Sequence, residues 1–549
     1  MEPRTLKFCS KLLFATAALS VLQLGAFAQG NFCTRYPVGS TFAEPRALYS
    51  TDGKLTVDLS YHTQIDSSGN PLYCFVTKDG TQSPTLHVHP GDELIINFTN
   101  VVPYGASPSR HMRTMPAMSM TVGPPTECGP KPMNETSVNM HFHGTNVAPV
   151  CHQDEVIQTV INSGEGFRYD LRFPADEPPG LYWYHPHIHG MAEGAVLGGA
   201  SGAIVVDGIE NANPIVAGLP QRTFVLRDNV VPGNPTPGGP VPAWDISLNY
   251  IPIPYPSFTP VVLPMKAQGR EFWRVVNAAA DTIYDLQLRY DGVPQPFTVV
   301  GLDGVPVGSQ DGTGRGKSYT AWHFLMPPGA RAEFVVTGPS TKVKTALLYT
   351  ANIDTGPFGD NDPERPIALI KASSQGPVKS AMMTMPAHTG ILPLERFSGL
   401  DRAVPTTSRK LYFSEVLSNP SDPSSPTNFF ITVDGATPVL FDPANPPAIV
   451  TTQGAVEDWT IENRSEENHE FHIHQIHFLQ LEENGRLVSN GQYLDTIQVP
   501  YWTGTGPYPS VKVRMDFRGP TVGDFVYHCH ILGHEDNGMM AIIRVKPAH

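Results

Sequence analysis

The segment "HPGDELIINFTN" at residues 89–100 is the first of three copies of one sequence pattern, and this repeat indicates the fold. The other two copies are "AQGREFWRVVNA" at 267–278 and "TQGAVEDWTIEN" at 452–463. Each has a turn glycine, then alternating apolar residues, then an asparagine, which is the pattern of a half-buried strand entered from a turn. The copies lie a domain length apart, so they predict three copies of one β unit rather than a solenoid.

A second repeat links the ends of the first and third units. "PGLYWYHPH" at 179–187 and "VGDFVYHCH" at 522–530 both place a tyrosine immediately before the first histidine. The middle unit has "KTALLYTAN" at 344–352 in the comparable place, a strand pattern without histidine. The first and third units are therefore predicted to carry the chemistry, and the middle unit to act as a spacer.

Composition supports an all-β protein. The 549 residues are enough for about three domains. The 55 prolines, 49 glycines and 16% charged residues favour strands and turns, and few long helical periodicities occur. We predict three consecutive Greek-key β-sandwich domains. The formal net charge of −14 argues against a nucleic-acid partner, which requires a basic face.

The first residues resemble an export signal. Arg4, Lys7 and Lys11 precede an apolar core, and an A-x-A cleavage pattern ends at Ala28. A membrane anchor is the weaker interpretation, because the apolar run is short and a cleavage pattern follows it. No later run is long and apolar enough for a membrane span. We expect an exported protein, periplasmic or secreted.

Stretches rich in Pro, Gly and Ser mark the predicted boundaries. The predicted organisation is a signal peptide at 1–28, a first domain at 45–206, a second at 207–371, a linker at 372–404 and a third at 405–549.

The cysteines divide into two groups. Cys9 leaves with the signal, and Cys529 stands apart between two histidines. The remaining four, an even number in an oxidising compartment, predict two disulfides. Their three possible pairings are not distinguished by sequence; Cys33–Cys74 with Cys128–Cys151 is the working assignment.

Four histidine clusters dominate the candidate site residues. They are "HFHG" (141–144), "YHPHIHG" (184–190), "HEFHIHQIH" (469–477) and "YHCHILGH" (527–534). Residues two apart on a strand point to the same side, so each cluster offers a pair of imidazoles to one face. The eight are His141, His143, His185, His187, His472, His474, His528 and His530. They would fill a polynuclear metal centre if the first and third domains meet.

Residues at odd sequence separations from the paired histidines point to the opposite side of the strand, and they predict a second site there. Cys529 faces away from its two neighbours, and His469, His534 and Met539 are suitably spaced to join it. Two imidazoles, a thiolate and a weak methionine ligand form the set of a blue-copper electron-transfer centre. Zinc would fit this set too, but zinc cannot pass electrons and would leave the neighbouring histidines without a role.

These clusters, in this order on three similar units, resemble the multicopper oxidase family of cupredoxin-domain enzymes from about residue 45 to the C-terminus. The resemblance implies four copper ions: one type 1, one type 2 and two type 3. It implies type 1 copper on His469, Cys529, His534 and Met539. It implies type 2 copper on His141 and His472. It implies the type 3 pair on His143, His185, His187, His474, His528 and His530.

The resemblance also implies an activity. A reducing substrate gives single electrons at type 1 copper, and O2 is reduced to water at the trinuclear cluster. Cys529, His528 and His530 form the implied electron path. Asp154 and Glu535 stand where the family places proton-relay acids, although Glu155 competes with Asp154.

The first hypothesis is a laccase-like oxidase of phenols or aromatic amines, acting as a monomer. The alternative is a metallo-oxidase acting on Cu(I), Fe(II) or Mn(II), which uses the same copper sites. A non-catalytic cupredoxin scaffold is disfavoured because no ligand position is lost. A copper nitrite reductase is disfavoured because it lacks the paired type 3 histidines.

Several further histidines are predicted to have structural roles rather than to bind metal. His87 and His89 are expected to be structural, and His189 and His477 to pack or hydrogen-bond beside ligands. The methionine-rich segments at 111–120 and 381–388 suit a Cu(I) site or a flexible insertion, and sequence leaves both interpretations open.

Overall fold

A computed structural model describes residues 32–103, 128–129, 131–231, 241–311, 316–374, 383–385, 395–422 and 424–548. The predicted signal at 1–28 and the methionine-rich segment at 111–120 lie outside these residues, as does 381–388 except for 383–385. Over the described ranges, no helix has both the length and the apolar character needed to cross a bilayer.

The first pair of sheets is built from strands between Ala47 and Val206. Its strands are β1 (Ala47–Tyr49), β2 (Lys54–Ile65), β3 (Pro71–Thr77), β4 (Thr85–Val88), β5 (Glu93–Asn100), β6 (His141–His143), β7 (Gly166–Arg172), β8 (Gly180–His185) and β9 (Gly202–Val206). They form a sheet of order β3-β2-β5-β7 and a sheet of order β1-β4-β9-β8-β6. Helix α1 (Ala192–Leu197) precedes β9, and α2 (Ile209–Ala212) and a 3-10 turn (Pro214–Val216) follow it.

The second pair of sheets follows without an intervening long helix. Its strands are β10 (Pro220–Val230), β11 (Trp244–Leu248), β12 (Ile251–Ile253), β13 (Val261–Lys266), β14 (Arg270–Asn277), β15 (Tyr284–Tyr290), β16 (Val293–Gln295), β17 (Phe297–Leu302), β18 (Val305–Pro306), β19 (Tyr319–Ala321), β20 (Phe324–Met326), β21 (Arg331–Thr337), β22 (Ala346–Thr350), β23 (Arg365–Ser373) and β24 (Met383–Thr384). One sheet has the order β12-β11-β10-β14-β21-β17-β18, and the other β13-β23-β22-β15-β16. Strands β19, β24 and β20 attach to β17, β10 and β15.

The third pair begins after a 3-10 turn at Leu400–Arg402. Its strands are β25 (Thr407–Leu417), β26 (Thr427–Val433), β27 (Ile449–Thr452), β28 (Val456–Asn463), β29 (His469–Ile473), β30 (Phe478–Glu483), β31 (Arg486–Leu487), β32 (Tyr493–Leu494), β33 (Thr496–Val499), β34 (Ser510–Asp516), β35 (Gly523–Cys529) and β36 (Met540–Lys546), with helix α3 (Leu532–Asp536) before β36. One sheet has the order β26-β25-β28-β34-β30-β31 with β32 on β30, and the other β27-β36-β35-β29-β33. The predicted all-β architecture is confirmed.

The three sequence repeats occupy equivalent places in the three sheet pairs. Strands β5, β14 and β28 each pair in parallel with the strand that opens their sheet, namely β2, β10 and β25. On the other side each pairs antiparallel, with β7, β21 and β34. The sequence repeat is therefore a structural repeat, as predicted.

The asparagine that ends each repeat makes the same set of hydrogen bonds in all three sheet pairs. Asn100, Asn277 and Asn463 are fully buried. Each side-chain amide donates to two backbone carbonyls, and each Oδ1 accepts the N–H two residues further on. These bonds tie the strand end to the loops around it, and only a side chain with both donors and an acceptor can make all three.

Each sheet pair encloses its own apolar core, and smaller clusters join the pairs to one another. The first and second pairs meet at Trp183 and Val276, and the first and third at Val156 and Val526. This packing brings the histidine strands of the first and third pairs together. Disulfides link Cys33 to Cys74 and Cys128 to Cys151, and Cys529 is free and buried.

We expect Asn277→Ala to destabilise the protein by about 3 kcal/mol or more, because two carbonyls and one N–H lose their partners in a buried site. Asn97→Ala is the matched control, since Asn97 lies on the exposed side of β5 and should change stability by less than about 0.5 kcal/mol. Urea unfolding of both variants measures the difference. Equal midpoints would contradict the role assigned to the asparagine.

Candidate metal centre

Two neighbouring strands position both candidate sites. In β29 and β35, His472 lies opposite His528 and Phe471 lies opposite Cys529. Side chains alternate along a strand, so the paired histidines point to one side and Cys529 to the other. One strand pair thus contributes to two separate clusters.

The first cluster surrounds Cys529. The Nδ1 atoms of His469 and His534 each lie 3.6 Å from the Cys529 Sγ and 3.0 Å from one another. The backbone N–H of Cys529 donates to the Met539 carbonyl at 3.0 Å, and Met539 is fully buried in the same core. The structure therefore brings together three of the four predicted ligands through their donor atoms and holds the fourth beside them.

Carboxylates behind the two imidazoles fix their orientation. The Nε2 of His469 lies 3.0 Å from Glu415 Oε1 and 2.7 Å from Ser465 Oγ. The Nε2 of His534 lies 3.2 Å from Glu467 Oε1. Holding Nε2 turns each Nδ1 towards the thiol, as expected of metal-binding histidines. No sequence motif pointed to these three residues.

The second cluster gathers all eight paired histidines, each at most 2% exposed. The Nε2 atoms of His187, His474 and His528 lie 3.1–3.2 Å from one another. The Nε2 of His530 lies 3.2 Å from the Nδ1 of His143. Donor atoms of His141, His143 and His185 also fall within 4.8 Å of each other. The strands of the first and third sheet pairs meet at this cluster.

Three of these imidazoles present a free nitrogen to the cluster. Among the described residues, the Nε2 atoms of His141, His185 and His472 have no hydrogen-bond partner. The opposite nitrogens are held, at 3.0 Å by Asp154, at 2.8 Å by the Pro186 carbonyl and at 2.8 Å by the Asp495 carbonyl. A buried nitrogen without a partner is costly unless it has a ligand, so this donor set fits metal ions.

Burial keeps the histidines in the deprotonated form that binds metal ions. Burial, reinforced by neighbouring imidazoles, lowers the pKa of all eight, to about 3 for His185 and His528. The rings are therefore neutral, which is the ligand form. Burial raises the pKa of the Cys529 thiol, so metal binding there must displace a proton.

Asp154, rather than its competitor Glu155, contacts the cluster. Asp154 Oδ1 accepts the Phe142 N–H at 3.0 Å and lies 3.0 Å from His141 Nδ1. Burial raises the pKa of Asp154 to about 7. Glu155 instead accepts backbone N–H groups from Ile157 and Gln158.

Glu535 lies against two histidines of the cluster. Its carboxyl oxygens are 3.7 Å from His187 Nδ1 and 3.6 Å from His528 Nδ1, and they have no hydrogen-bond partner among the described residues. Burial, with Asp536 beside it, raises the pKa of Glu535 well above its usual range. Burial thus favours the protonated form of this acid at the cluster.

The middle sheet pair, predicted to be a spacer, also reaches the cluster. The contact runs through Asp495, a residue of the third sheet pair that lies between β32 and β33. Asp495 is fully buried and lies 3.2 Å from His143 Nε2. Two Arg331 N–H groups donate to its carboxylate, at 2.7 and 2.5 Å, and Asp303 lies 3.7 Å from the same guanidinium. These residues could not be identified from the sequence, because none of them lies in a recognisable motif. Their contacts form only where the three sheet pairs meet.

Gly329, from the same middle pair, packs against two histidine rings. Its φ of +88° favours glycine. A Cβ there would lie 2.9 Å from His143 Cε1 and 3.0 Å from His530 Nε2, so any side chain would displace a ring.

The remaining singled-out histidines make other contacts. His87 pairs with Asp207 at 3.1 Å, and His89 lies 3.3 Å from Ser50 Oγ. His477 Nε2 lies 2.8 Å from the Asp303 carbonyl oxygen. The His189 ring packs against Phe441.

Comparison with known proteins gives consistent results. Two family models, both described as "Multicopper oxidase", match residues 131–211 and 416–549. A laccase from Haloferax volcanii is 24% identical over 491 residues, which cover 83% of this chain and 75% of the relative.

Solved structures show the same fold. The McoA multicopper oxidase from Aquifex aeolicus superposes with a TM-score of 0.63 at 20% identity, covering 93% of this chain and 99% of that one. A multicopper oxidase from Campylobacter jejuni, described as a metallo-oxidase, gives 0.63 at 20% identity, covering 93% and 96%.

We expect Gly329→Ala to lower metal occupancy of the histidine cluster by at least half while leaving the Cys529 site intact, because the new methyl group overlaps His143 and His530. Gly435→Ala is the matched control: its φ is +85° and nothing lies within 4 Å of the new Cβ. The copper content per chain and the absorption band of the thiolate site are measured together. The pair of values shows which of the two sites has lost metal. Full copper content in Gly329→Ala would refute this close packing.

Proposed function

Because this chain belongs to the multicopper oxidase family and is an oxidoreductase, we propose that it couples one-electron oxidations of a small reducing substrate to the reduction of O2 to water. The observation that carries the proposal is the position of Cys529 in β35. Cys529 belongs to one donor cluster, and its covalent neighbours His528 and His530 belong to the other. Two donor sets joined by adjacent residues suit electron transfer between them.

The donor sets suit copper in both places. Two imidazoles, a thiolate and a nearby thioether match type 1 copper. We assign type 1 copper to His469, Cys529, His534 and Met539. We assign type 2 copper to His141 and His472. We assign type 3 copper to His143, His185, His187, His474, His528 and His530. The nitrogen–nitrogen distances support a group of His187, His474 and His528 and a pair of His143 and His530 within this type 3 set.

When bound, copper supplies one-electron redox chemistry at the thiolate site and O2 reduction at the histidine cluster. The protein's own residues hold the histidines in position and supply protons. Asp495 and Arg331 hold His143, and Asp154 holds His141. O2 reduction consumes protons in a buried site, so Glu535, whose protonated form burial favours and which lies 3.6–3.7 Å from two histidines, is placed to donate one. Asp154, with a pKa of about 7, is the second proton-relay acid.

The reducing substrate meets the protein at His534. A cavity of about 320 Å³ opens beside this residue, while the other cluster histidines are buried. The cavity is large enough for a single aromatic ring, which supports laccase-like oxidation of phenols or aromatic amines. The metallo-oxidase alternative for Cu(I), Fe(II) or Mn(II) would use the same copper sites and the same cavity.

The proposal includes the organisation predicted from sequence. We propose a protein exported by the signal at 1–28, acting as a monomer in the periplasm or outside the cell. We retain domains at 45–206, 207–371 and 405–549 with a linker at 372–404. The second domain holds no proposed copper ligand but positions His143 through Arg331.

We expect the purified protein to bind about four copper ions and to show an intense blue thiolate-to-copper band. Cys529→Ser should abolish the band and reduce turnover by at least about 10³-fold, because the serine hydroxyl cannot replace the thiolate. Cys529 makes no disulfide, so folding should survive. Copper analysis and visible spectroscopy test this; a band that persists in Cys529→Ser contradicts the assignment.

We expect Glu535→Gln to lower kcat by about 10²-fold, because the amide cannot release a proton, while the blue band remains. Glu177→Gln is the control, since Glu177 is also a buried carboxyl but contacts Asn146 rather than a histidine. Stopped-flow reoxidation of the reduced protein by O2 isolates the step. Unchanged reoxidation in Glu535→Gln would exclude the proton role.

A further inference from the structure

A second cavity lies between the first and third sheet pairs and shares no lining residue with the cavity beside His534. Its volume is about 20 Å³, which is room for roughly one water-sized guest. Val156 of the first pair and Val526 of the third line it, and so does His187, a histidine of the cluster. The cavity therefore borders the histidine cluster at the seam between two sheet pairs.

Three side chains with soft donor atoms line this cavity among aliphatic ones. Met133 and Met540 each carry a thioether sulfur, and His189 carries an imidazole. Met133 is 36% exposed, whereas Met540 is 4% exposed. In the pairing of β35 with β36, Met540 lies opposite His528, so its side chain is on the same face of the sheet as that cluster histidine. The donors therefore extend from the protein surface towards the cluster.

His189 has a buried nitrogen that no hydrogen bond uses. Its Nδ1 has no partner among the described residues. The ring packs edge-on against Phe441, with 4.9 Å between the ring centroids, and this contact fixes the ring without satisfying the nitrogen. A buried nitrogen without a partner costs free energy unless a ligand occupies it. A metal ion in the cavity that His189 lines would be such a ligand.

The chemistry of the lining indicates which ion fits. Within the described part of the chain, no Asp, Glu, Lys or Arg lines the cavity. A hard divalent ion requires oxygen ligands or several retained waters, and this small cavity supplies neither. Thioether and imidazole ligands are neutral and suit Cu(I). Uncharged O2 needs no donor atoms, so two thioethers and a free imidazole nitrogen favour a metal ion over a dissolved gas.

We propose that Met133, His189 and Met540 form a Cu(I)-binding site through which copper enters the histidine cluster. The entry role rests on the proposed function, because it takes the cluster as copper-binding. His187 is the cluster residue that an ion in the cavity meets first. The transfer exchanges neutral thioether and imidazole ligands for neutral imidazoles of the cluster. One positive charge therefore moves, and no electron or proton is transferred.

Silver(I) binding to the copper-loaded protein tests the site. Ag(I) has the charge and the soft-ligand preference of Cu(I) but gives no electron to the copper sites. We expect Met540→Leu to bind about one Ag(I) per chain fewer than the unsubstituted protein, because leucine keeps the volume and removes the sulfur. Metal analysis after desalting counts the ions. X-ray absorption at the silver edge should show sulfur and nitrogen ligands in the unsubstituted protein.

Met191→Leu is the matched control for this measurement. Met191 is 5% exposed, as buried as Met540, but it does not line the cavity. Its variant should bind as much Ag(I) as the unsubstituted protein. Any Ag(I) held by other methionines is common to all three proteins and cancels in the difference.

Copper loading of the metal-free chain tests the entry role. With Cu(I) supplied under argon, we expect Met133→Leu and Met540→Leu to fill the histidine cluster at least about fivefold more slowly than Met191→Leu. The thiolate site should fill at the same rate in all of them. Copper content measured over time reports the cluster, and the blue band after oxidation reports the thiolate site.

Each contrary outcome has its own meaning. Equal Ag(I) binding by Met540→Leu and Met191→Leu would overturn the Cu(I) site. Slower reoxidation by O2 in Met540→Leu, with Ag(I) binding unchanged, would assign the cavity to O2 and also overturn the site. Loss of the Ag(I) ion with unchanged copper loading would overturn the entry role. A missing blue band in every protein would instead overturn the proposed function, on which Ag(I) binding does not depend.

Discussion

The pairing of β29 with β35 is the constraint on which the rest of the site depends. With His472 opposite His528 and Phe471 opposite Cys529, alternation along two strands separates a thiol site from a histidine cluster. The separation is across one sheet, so adjacent residues of a single strand reach both sites. Any shift of register by one residue would exchange the two faces and destroy both.

Burial of eight imidazoles imposes the second requirement. Neutral rings with free nitrogens in a buried site are stable only when their other nitrogens accept or donate a hydrogen bond and their free nitrogens bind a ligand. Asp154 and Asp495 hold some of the other nitrogens, and bound copper would take up the free ones. Metal binding should therefore also stabilise the folded chain. Arg331, from the middle sheet pair, balances the charge of Asp495, so all three units contribute to a centre whose histidines come from two of them.

Much of this arrangement was predictable from sequence, for identifiable reasons. The repeats at 89–100, 267–278 and 452–463 encode a strand by period-two alternation, and their asparagines mark equivalent strand ends. The paired histidines share local spacing, so their clustering could be expected once the first and third domains were predicted to meet.

What could not be predicted depends on contacts between distant segments. Asp495, Arg331 and Gly329 have ordinary local sequence, and their roles arise because loops from two sheet pairs converge on His143. The cavity beside His534 is lined by residues from all three sheet pairs, among them Glu193 and Asp281, and no local sequence pattern marks these residues as neighbours.

The central claim is that one strand carries a thiolate copper site and a separate cluster of copper-binding histidines. Anomalous diffraction at the copper edge, from crystals of the copper-loaded protein, tests it most directly. We expect one copper peak among His469, Cys529 and His534, and about three further peaks among the eight histidines. A zinc signal at Cys529, or a histidine cluster without copper, would contradict it.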